Sequence, residues 1–591
     1  MSVFRKKKPD APGNSLKNVL AETRWIYRHT RAYRKSVFVY VLLGLVATAL
    51  SMLAALLSRE LINSIVYLHD RDGYGGTRIA VSGISVVCVS LVNILLSALV
   101  SRYSTRVNLR ISNELRAEVY GTFMNTDWQS LQEFHSGDLL NRINTDVSTV
   151  AGSVLGWLPA LIIKGTSFLA SLCIILVYDP TMALFALISA PVTFLVARPF
   201  VGKMRKYSKK MRAVSSEMTS FHEESLQNAQ SIKAFNLVDT FLDRLKGVQK
   251  VYYDTSMDYN RFTILNSSFL STVGMLVSYL CFGWGAYRLW LGRIDFGTMV
   301  LFIQLAGYLS SSLTALIRLV PSAIECTVAA QRIMTIFDLP RENTEESGKV
   351  EALKHSGEPI TLELRNLMFS YQQRSMVLQD LHLKVRPHEM IAIVGPSGSG
   401  KTTLFRILLG LVSPDSGTAQ VSIGENVFDL SPSTRTLFAY VPQDHVIFSG
   451  TIADTLRLVR PDASDEDLYA ALRVACADGF VSRLPEGIHT SLKERGGTLS
   501  VGQNQRLAIA RAILADAPIL LLDEITSALD LETESQVLQN IASLRDKTCI
   551  ITTHRPSVLS LCSKVYRIDE TQLQVLPREE ILKMTTAESS S

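Results

Sequence analysis

The sequence contains little cysteine, and none of it has the paired spacing of a metal site. Seven cysteines are scattered over 591 residues without a CxxC pair: Cys88, Cys173, Cys281, Cys326, Cys476, Cys549 and Cys562. This pattern disfavours zinc sites and a disulfide framework, so we expect reduced or buried thiols. The N-terminal segment MSVFRKKKPDAPGNS has no apolar stretch, and we expect no cleavable signal peptide there.

Charged residues are also scarce. They make up 19% of the chain, against 47% hydrophobic residues, and the mean hydropathy is +0.19. This balance disfavours a single globular enzyme and indicates a membrane part joined to a soluble part. The chain is too long for one core, so we expect at least two domains. The net charge of +6 is modest, and we expect no nucleic-acid partner.

Six apolar windows occupy the first half of the chain. They cover residues 37–57, 79–100, 153–178, 182–202, 264–289 and 297–320. Each has about the length that crosses a bilayer as a helix, roughly 20 residues. A single window of this kind also fits a buried helix of a soluble protein. Six in one half of the chain predict an all-α transmembrane domain of six helices.

Basic residues set the predicted orientation of these helices. Arg and Lys are concentrated before the first window and directly after the second and fourth windows. Because cytoplasmic segments are enriched in Arg and Lys, we place both chain ends in the cytoplasm. Trp25, Tyr27 and Tyr33 among the basic leader residues predict an amphipathic helix on the inner membrane surface.

Two long connections, residues 101–152 and 203–263, face the cytoplasm in this orientation. Both contain few glycines and prolines, and we expect helical stalks that extend below the membrane. Their candidate turns are 134-FHSGDLLNRINTDV-147 and 219-TSFHEESLQNAQSIKAF-235, which could press on a soluble domain. An ordinary solvated helical hairpin remains the alternative.

The second half follows a charged linker and contains the strongest motif. The stretch 391-IAIVGPSGSGKTTLFRILLG-410 places a Gly-rich loop between a predicted strand and a predicted helix, which is the context of a phosphate-binding loop. Its backbone N–H groups would surround the phosphates of ATP. Lys401 would neutralise the β- and γ-phosphates, and the Thr402 hydroxyl would ligate Mg²⁺. The predicted ATP-binding residues of the loop are Gly395, Pro396, Ser397, Gly398, Ser399, Gly400, Lys401, Thr402 and Thr403.

An acidic pair follows a second apolar strand, in 519-ILLLDEITSALD-530. Asp523 is a candidate ligand of the Mg²⁺ shell. Glu524, one residue later, could face the attacking water as a general base. An acidic pair of this kind often only ends a strand, but beside a phosphate-binding loop it predicts catalysis.

Two further polar residues are candidates for the same site. The strand 548-TCIITTH-554 ends at His554, which would contact the γ-phosphate because ligands of mostly parallel sheets bind at the carboxyl ends of the strands. Gln443, in 440-YVPQDHVIFSGTI-452, would bond the Mg²⁺ shell or the attacking water. Alone, each residue also fits a structural role.

The stretch 499-LSVGQNQRLAIARAIL-514 predicts a helix that begins just after Ser500, and such a helix start can bind an anion. Together with the motifs above, it resembles the ATP-binding cassette (ABC) family. Six spans ahead of one cassette resemble a half-size ABC exporter of the multidrug, lipid or peptide type. The resemblance implies a type IV exporter-like membrane domain and an α/β P-loop NTPase cassette.

The resemblance assigns this second phosphate-binding segment to the opposing cassette of a dimer, so that two ATP molecules lie between two cassettes. It implies that Tyr371 stacks on adenine, although a core aromatic is the alternative. It also places Asp530 in a loop that crosses the dimer interface and 493–495 beside the stalk turns. The residues that it adds to the ATP-binding set are Tyr371, Ser500, Gly502, Gln503 and Asp530.

The chain departs from the family pattern at Val501, where Gly is commoner, and at Asn504, where Arg or Lys is commoner. Neither change removes a catalytic group. Lys401, Ser500, Glu524 and His554 are all present, so each site of a homodimer would be competent. This favours a homodimer, and a heterodimer with a second half-transporter stays open.

The expected domains follow from these features. They are a basic leader with a surface helix at 1–35, the transmembrane domain at 36–325, a linker at 326–358, the cassette at 359–580 and a polar tail at 581–591. We expect a multi-pass protein of the cytoplasmic membrane that uses ATP and Mg²⁺ to export an amphipathic or hydrophobic substrate by alternating access. Import by the same architecture and a nucleotide-gated membrane protein that does not pump remain alternatives.

Lys164 stands near the middle of the third window and is a candidate substrate contact. An ionisable residue at that depth suggests a functional role, such as attraction of an anionic lipid or a peptide carboxylate. The alternative is a lysine that pairs with a neighbouring helix or extends to the membrane surface.

Overall fold

The computed structural model describes most of the chain. The described residues are 24–26, 28, 31–67, 75–134, 136–371, 376–443, 448–492, 499–525, 529–553 and 555–581, with only the backbone described at 185–202. The chain divides into two compact units. The first comprises Met1–Thr122 and Ser136–Asp338, and the second comprises Phe123–His135 and Leu339–Ser591. Most of the leader and the tail lie outside the described residues.

Long helices form the first unit and pass through all six apolar windows. Among the described residues, four helical segments are long and apolar enough to cross a membrane. They are Arg31–Val66, Gly76–Met124, Gly137–Tyr178 and Phe296–Leu316. In the fourth window, the side chains of 185–202 lie outside the described part. In the fifth window, those of 270, 273, 274, 277 and 278 do. The helices are α1 Arg34–Tyr67, α2 Gly75–Met124, α3 Trp128–Leu131, α4 Ser136–Asn141, α5 Val147–Leu155, α6 Trp157–Tyr178, α7 Pro180–Gln227, α8 Ala229–Ala234, α9 Val238–Trp290 and α10 Phe296–Phe337.

The two inner turns are short interruptions between these helices. After α2, the chain turns at residues 125–134, where Asp127 accepts a hydrogen bond from the Ser130 backbone and begins α3. The predicted turn 134–147 is wrong for most of its length, because helix resumes at Ser136 and continues through a π-helical segment, Arg142–Asp146. The second turn contains α8 and lies at the C-terminal end of the predicted segment 219–235.

Aspartates begin two of the membrane helices at the ends opposite to these turns. Asp179 accepts from the backbone of Thr181 at 2.9 Å, directly before α7. Asp295 accepts from the backbone of Thr298 at 2.6 Å, directly before α10. Each carboxylate satisfies helix N–H groups that have no partner within the helix.

The second unit is built on two larger sheets. A six-stranded sheet has the order β12-β11-β3-β10-β9-β6, in which only β12 pairs antiparallel. A four-stranded antiparallel sheet has the order β2-β1-β4-β5. The strands are β1 Ile360–Ser370, β2 Met376–Val385, β3 Met390–Val394, β4 Ser416–Ile423, β5 Asn426–Asp429, β6 Phe438–Val441, β7 Gly450–Thr451, β8 Ser491–Leu492, β9 Ile519–Asp523, β10 Thr548–Thr552, β11 Lys564–Asp569 and β12 Gln572–Val575.

The predicted mostly parallel sheet is confirmed, whereas the antiparallel sheet was not predicted. Strands β9 and β10 are buried along their whole length, as expected for a sheet covered on both faces. The helices of this unit are α11 Ser347–Lys354, α12 Lys401–Leu408, α13 Ile452–Arg457, α14 Asp465–Val474, α15 Asp478–Val481, α16 Val501–Leu514, α17 Leu531–Ala542 and α18 Pro556–Leu559.

Parallel pairing brings the ends of four strands to one edge of the sheet. In the register of β9 and β10, Asp523 lies opposite Thr552. Strand β3 leads directly into the loop that begins at Gly395, and β6 ends two residues before Gln443. Ligands of such sheets bind at this carboxyl edge, so the fold gathers four separate sequence segments into one candidate site.

Candidate functional site

The Gly-rich loop between β3 and α12 needs glycine at two positions. Gly400 has φ of 104° and caps α12, a conformation that side chains disfavour. A Cβ on Gly395 would lie 2.7 Å from the Ile568 carbonyl oxygen and 2.8 Å from the Ser399 hydroxyl. The loop is therefore closed tightly at its start and opens onto a helix N-terminus, which is the geometry of a phosphate-binding loop.

Lys401 is buried within this loop, at 5% exposure. Its Nζ donates to the carbonyl oxygens of Gly395 at 2.9 Å and Pro396 at 3.2 Å. It also lies 3.6 Å from the Glu524 carboxylate. The ammonium group is thus held over the loop, where it can meet a phosphate.

Asp523 is fixed by hydroxyl groups from three other segments. It is 1% exposed. It accepts from the Thr402 hydroxyl at 3.0 Å, from the Thr552 hydroxyl at 2.6 Å and from the Tyr440 hydroxyl at 3.4 Å. These bonds hold the carboxylate beside the first turn of α12.

Glu524 leaves the strand in a left-handed conformation, with φ of 50°. Its backbone N–H lies within bonding distance of the Thr552 hydroxyl, 3.0 Å, and carbonyl, 3.2 Å. Its side chain accepts from the Gln443 amide at 2.7 Å. A left-handed non-glycine residue costs about 1 kcal/mol or more, and such strain is common at functional sites.

Tyr371 contacts the phosphate-loop helix. Its hydroxyl lies 3.3 Å from the Thr403 hydroxyl and accepts from Arg406 at 2.9 Å. Its ring packs edge-on against Phe369, with centroids 4.8 Å apart. The aromatic ring is therefore anchored next to the loop, and residues 372–375 that follow it lie outside the described part.

The second phosphate-binding segment forms the predicted helix start. α16 begins at Val501, and Ser500 caps it. The Ser500 hydroxyl accepts from the Gln503 N–H at 3.3 Å, while the Gln503 side chain accepts from the Ser500 N–H at 2.9 Å. Among the described residues, each of these side chains bonds the backbone N–H of the other residue, and neither bonds a residue of the Gly-rich loop.

The remaining predicted residues have different outcomes. Asp530 caps α17, and the backbone N–H of Thr533 lowers the pKa of its carboxyl group. His554 and the segment 493–495 lie outside the described residues. Lys164 is exposed on α6 and forms no ion pair with a residue that the structure describes.

The donor set of this edge fits Mg²⁺. The Thr402 hydroxyl and the Asp523 carboxylate are within hydrogen-bond distance, and the Gln443 amide is bonded to the adjacent Glu524. Oxygen ligands of these kinds suit Mg²⁺ bound together with phosphate. A cluster of three or more His, Cys, Asp or Glu side chains that could form a separate metal site does not occur among the described residues.

Sequence reasoning missed Thr552, which bonds both Asp523 and Glu524. A partial signal was available, because Thr552 lies within the stretch 548-TCIITTH-554, which was already predicted to reach the site edge. It also missed Arg406, in the second turn of α12, which donates a hydrogen bond to the Tyr371 hydroxyl.

All seven cysteines are free thiols in the structure. Burial raises the pKa of Cys549 and of Cys562 to about 12. Such thiols stay protonated at neutral pH and are poor nucleophiles.

Comparisons with known proteins cover both units. The family model of the ABC transporter transmembrane region matches residues 37–313, and the ABC transporter model matches residues 378–527. Relatives in Staphylococcus aureus strains NCTC 8325 / PS 47 and COL bear the name "Putative multidrug export ATP-binding/permease protein". Each is 28% identical over 546 residues, which cover 91% of this chain and 93% of the relative.

A solved structure of a bacterial Atm1-family ABC exporter with ATP bound has a similar fold. Its TM-score is 0.81 at 21% identity, and the match covers 95% of this chain and 99% of that chain. The fold and the matched families define a multi-pass membrane protein fused to an ATP-binding cassette. The chain belongs to the ABC transporter family and couples ATP hydrolysis to transport.

Proposed function

We propose that the chain exports an amphipathic or hydrophobic substrate, such as a lipid, a peptide or a drug-like compound, as a dimer that works by alternating access. One observation carries the proposal: among the described residues, the two candidate phosphate-binding segments of the cassette form no hydrogen bond or ion pair with each other. Lys401 and Glu524 lie together at the sheet edge, whereas Ser500 and Gln503 bond each other. A second cassette would supply the missing segment to each site.

The residues of the sheet edge support ATP hydrolysis within each site. Lys401 would bind the β- and γ-phosphates. Glu524 would accept a proton from the attacking water. The Gln443 amide, which donates to the Glu524 carboxylate, would orient Glu524 and the water. Thr402 and Asp523 would hold Mg²⁺, which when bound neutralises charge on the phosphate oxygens. Tyr371 would support the adenine, and His554 would contact the γ-phosphate.

The helix start at Ser500 supports closure over a second nucleotide. The Ser500 hydroxyl accepts a hydrogen bond, so its own O–H remains available to donate to a phosphate oxygen. The first-turn N–H groups of α16, including that of Gly502, add the positive end of the helix dipole. Asp530 would contact the opposing cassette near the same site.

Export from the cytoplasm is supported by the basic residues near the inner helix ends and by the names of the relatives. In this orientation both chain ends and the cassette face the ATP-containing compartment. Complete catalytic groups in one chain favour a homodimer in the cytoplasmic membrane. Lys164 remains a proposed substrate contact within the spans.

ATP turnover of the purified chain in lipid nanodiscs tests the proposal, with a panel of lipids, peptides and drugs. We expect turnover that Glu524→Gln lowers by about two orders of magnitude or more, and stimulation by at least one compound. Inside-out vesicles should then accumulate that compound when ATP is added.

Other results would redirect the proposal. Accumulation by right-side-out vesicles with internal ATP would show import. Turnover without accumulation in either orientation would contradict a pump. A well-folded chain without turnover would contradict the homodimer and point to a second half-transporter.

A further inference from the structure

A salt bridge connects the linker to the far end of the phosphate-loop helix. Arg435 lies in the 3₁₀ turn Pro432–Leu437. Its Nη1 and Nη2 donate to the two carboxylate oxygens of Glu342, at 3.1 and 2.9 Å. Its Nε donates to the carbonyl oxygen of Leu409 at 3.1 Å. Leu409 caps the C-terminus of α12, the helix that begins at Lys401.

This contact has the geometry of a strong interaction. Two parallel N–H···O bonds between a guanidinium and a carboxylate fix orientation as well as distance. Glu342 is 15% exposed and Arg435 is 36% exposed, so the pair is partly shielded from water. The third donor of Arg435 binds a helix C-terminus, where a positive charge is favourable.

The backbone of the same linker residues pairs with the first inner turn. The Glu342 N–H donates to the Asn125 carbonyl at 2.9 Å, and the Asp127 N–H donates to the Pro340 carbonyl at 2.9 Å. Between them, Thr126 and Arg341 form an antiparallel bridge. The linker thus binds the first inner turn by its backbone and α12 by its Glu342 side chain.

Both bonded segments are continuous with membrane helices. Asn125 follows Met124, the last residue of α2, and Pro340 follows three residues after Phe337, the last residue of α10. The path therefore runs without a gap from α12 through Arg435 and Glu342 to the base of each helix.

The path is also tightly packed at its cassette end. Gly410, just after α12, has φ of 60°, and a Cβ there would lie 2.3 Å from the backbone carbon of Ser431. Ser433 donates to the Asn343 carbonyl at 3.3 Å and is buried. Because close-packed segments transmit displacement, a shift of α12 must move the 3₁₀ turn and the linker with it.

We propose that Glu342 and Arg435 are positioning residues that pass the movement of the phosphate-loop helix on ATP binding to the bases of α2 and α10. The proposal rests on the proposed function and adds a path by which ATP binding would reach the membrane helices. This route stays within one chain. It reaches the first inner turn through the linker and does not use residues 493–495, which the family resemblance places beside the stalk turns.

Hydrogen exchange on the full-length chain in nanodiscs tests this route, with and without ATP, in a Glu524→Gln background that retains ATP. The variants are Glu342→Gln, which keeps the size of the side chain but not its charge, and Arg435→Lys. Lysine keeps the positive charge but cannot form the two parallel hydrogen bonds of the guanidinium. The matched control is Glu363→Gln, which breaks an ion pair to Arg365 within β1, away from α12.

We expect ATP to change exchange in peptides covering 123–131 and 339–345 in the background protein and in the control. Glu342→Gln should lower that change several-fold while the ATP affinity stays within about twofold. Arg435→Lys should give an intermediate change. A purely structural role would alter exchange equally with and without ATP. A full ATP-dependent change in Glu342→Gln, or none in the background protein, would overturn the proposal.

ATP turnover separates this proposal from the proposed function. A wild-type chain that lacks turnover but shows the ATP-dependent exchange change would refute the proposed function and leave the route supported. If the wild-type chain transports substrate and the Glu342→Gln variant couples ATP hydrolysis to transport equally well, the route alone would be refuted. If Glu342→Gln does not fold, as judged by its thermal midpoint, Arg435→Lys decides the same comparison.

Discussion

At the scale of single residues, the Thr552 hydroxyl is the contact that organises the acidic pair. It donates to Asp523 at 2.6 Å and accepts from the Glu524 N–H at 3.0 Å. Thr552→Val keeps the shape and removes both bonds. We expect the kcat of ATP hydrolysis to fall about tenfold, since roughly 1.4 kcal/mol corresponds to one order of magnitude, with little change in KM. Steady-state kinetics in nanodiscs would measure this.

A conservative variant provides the control for this prediction. Thr552→Ser retains the hydroxyl and should recover most of the kcat. If Thr552→Val and Thr552→Ser were equally slow, the hydroxyl alone would not be sufficient, and the methyl group would also be required. A kcat unchanged in both would show that Asp523 and Glu524 are positioned without this bond.

The chemistry-bearing residues could be predicted from sequence because their motifs are local. The glycine-rich loop fixes Lys401 and Thr402 within a few residues, and an apolar strand predicts Asp523 and Glu524 at its end. Thr552 could not be assigned with the same certainty, because its role depends on the register between β9 and β10. The Arg435–Glu342 pair joins residues 93 positions apart and left no local signal.

Asp179 illustrates how charge stabilises the membrane unit. It is 2% exposed and accepts from Arg288 at 2.6 and 2.8 Å and from Thr181. Burial opposes its ionisation, but hydrogen bonds from Thr181 and Arg288 outweigh burial and lower the pKa of Asp179. A lowered folded pKa stabilises the fold above the unfolded pKa of about 3.9, and the contribution is lost as pH falls through the folded pKa.

We therefore expect Asp179→Asn to lower the thermal midpoint by several degrees at pH 7. The difference from wild type should shrink as the pH falls below about 4, the unfolded pKa, and onward through the lowered folded pKa, where the folded carboxyl group becomes protonated. Thermal unfolding in detergent across this range would measure it. Asp243→Asn is the control. It breaks the ion pair with Lys246, in which both side chains are exposed, and should change the thermal midpoint little. A pH-independent difference would contradict the ionic explanation.

At the scale of elements, the π-helical segment Arg142–Asp146 and the preceding helix α4 bring three charged side chains to α10. Arg332 pairs with Asp138 and lies 3.3 Å from Asp146, which is 7% exposed. Arg142 pairs with Asp138 at 2.8 Å and donates to the Arg332 carbonyl at 2.7 Å. π-helical turns often occur at functional positions, and here the turn joins two helices.

Removing Arg332 should destabilise this junction more than removing Asp138. Arg332→Ala removes the stronger of the two cations beside the buried Asp146 and leaves only Arg142, whereas Asp138→Asn retains the Arg332–Asp146 pair. We expect Arg332→Ala to give the lower thermal midpoint and Asp138→Asn a smaller loss, because a poorly compensated buried charge costs more than a lost contact. Equal midpoints for the two variants would contradict this order.

Helix content could be predicted at this scale, but the position of the first inner turn could not. The segment 134–147 contains glycine and polar residues that favour a turn, yet Gly137 lies in the first turn of α4, where it is tolerated. The observed turn at 125–134 pairs with the linker through Asp127 and Pro340. A contact between segments more than 200 residues apart has no pattern in either segment.

At the scale of the whole molecule, the proposed arrangement of the two candidate phosphate-binding segments would determine which dimers hydrolyse ATP. If each site combines the loop of one chain with the helix start of the other, Lys401→Ala and Ser500→Ala are each inactive as homodimers. A mixed dimer of these two variants would have one intact site, with the loop of the Ser500→Ala chain and the helix start of the Lys401→Ala chain. If each site formed within one chain, the same mixed dimer would have none.

Mixed dimers purified through two different affinity tags distinguish these arrangements. We expect the Lys401→Ala and Ser500→Ala mixture to hydrolyse ATP where neither variant does alone. A mixed dimer of wild type with the Lys401→Ala, Ser500→Ala double variant should lose activity, because each of its sites then contains one defect. The reverse pattern, an inactive first mixture and an active second mixture, would show that each chain completes its own site and would refute the shared arrangement.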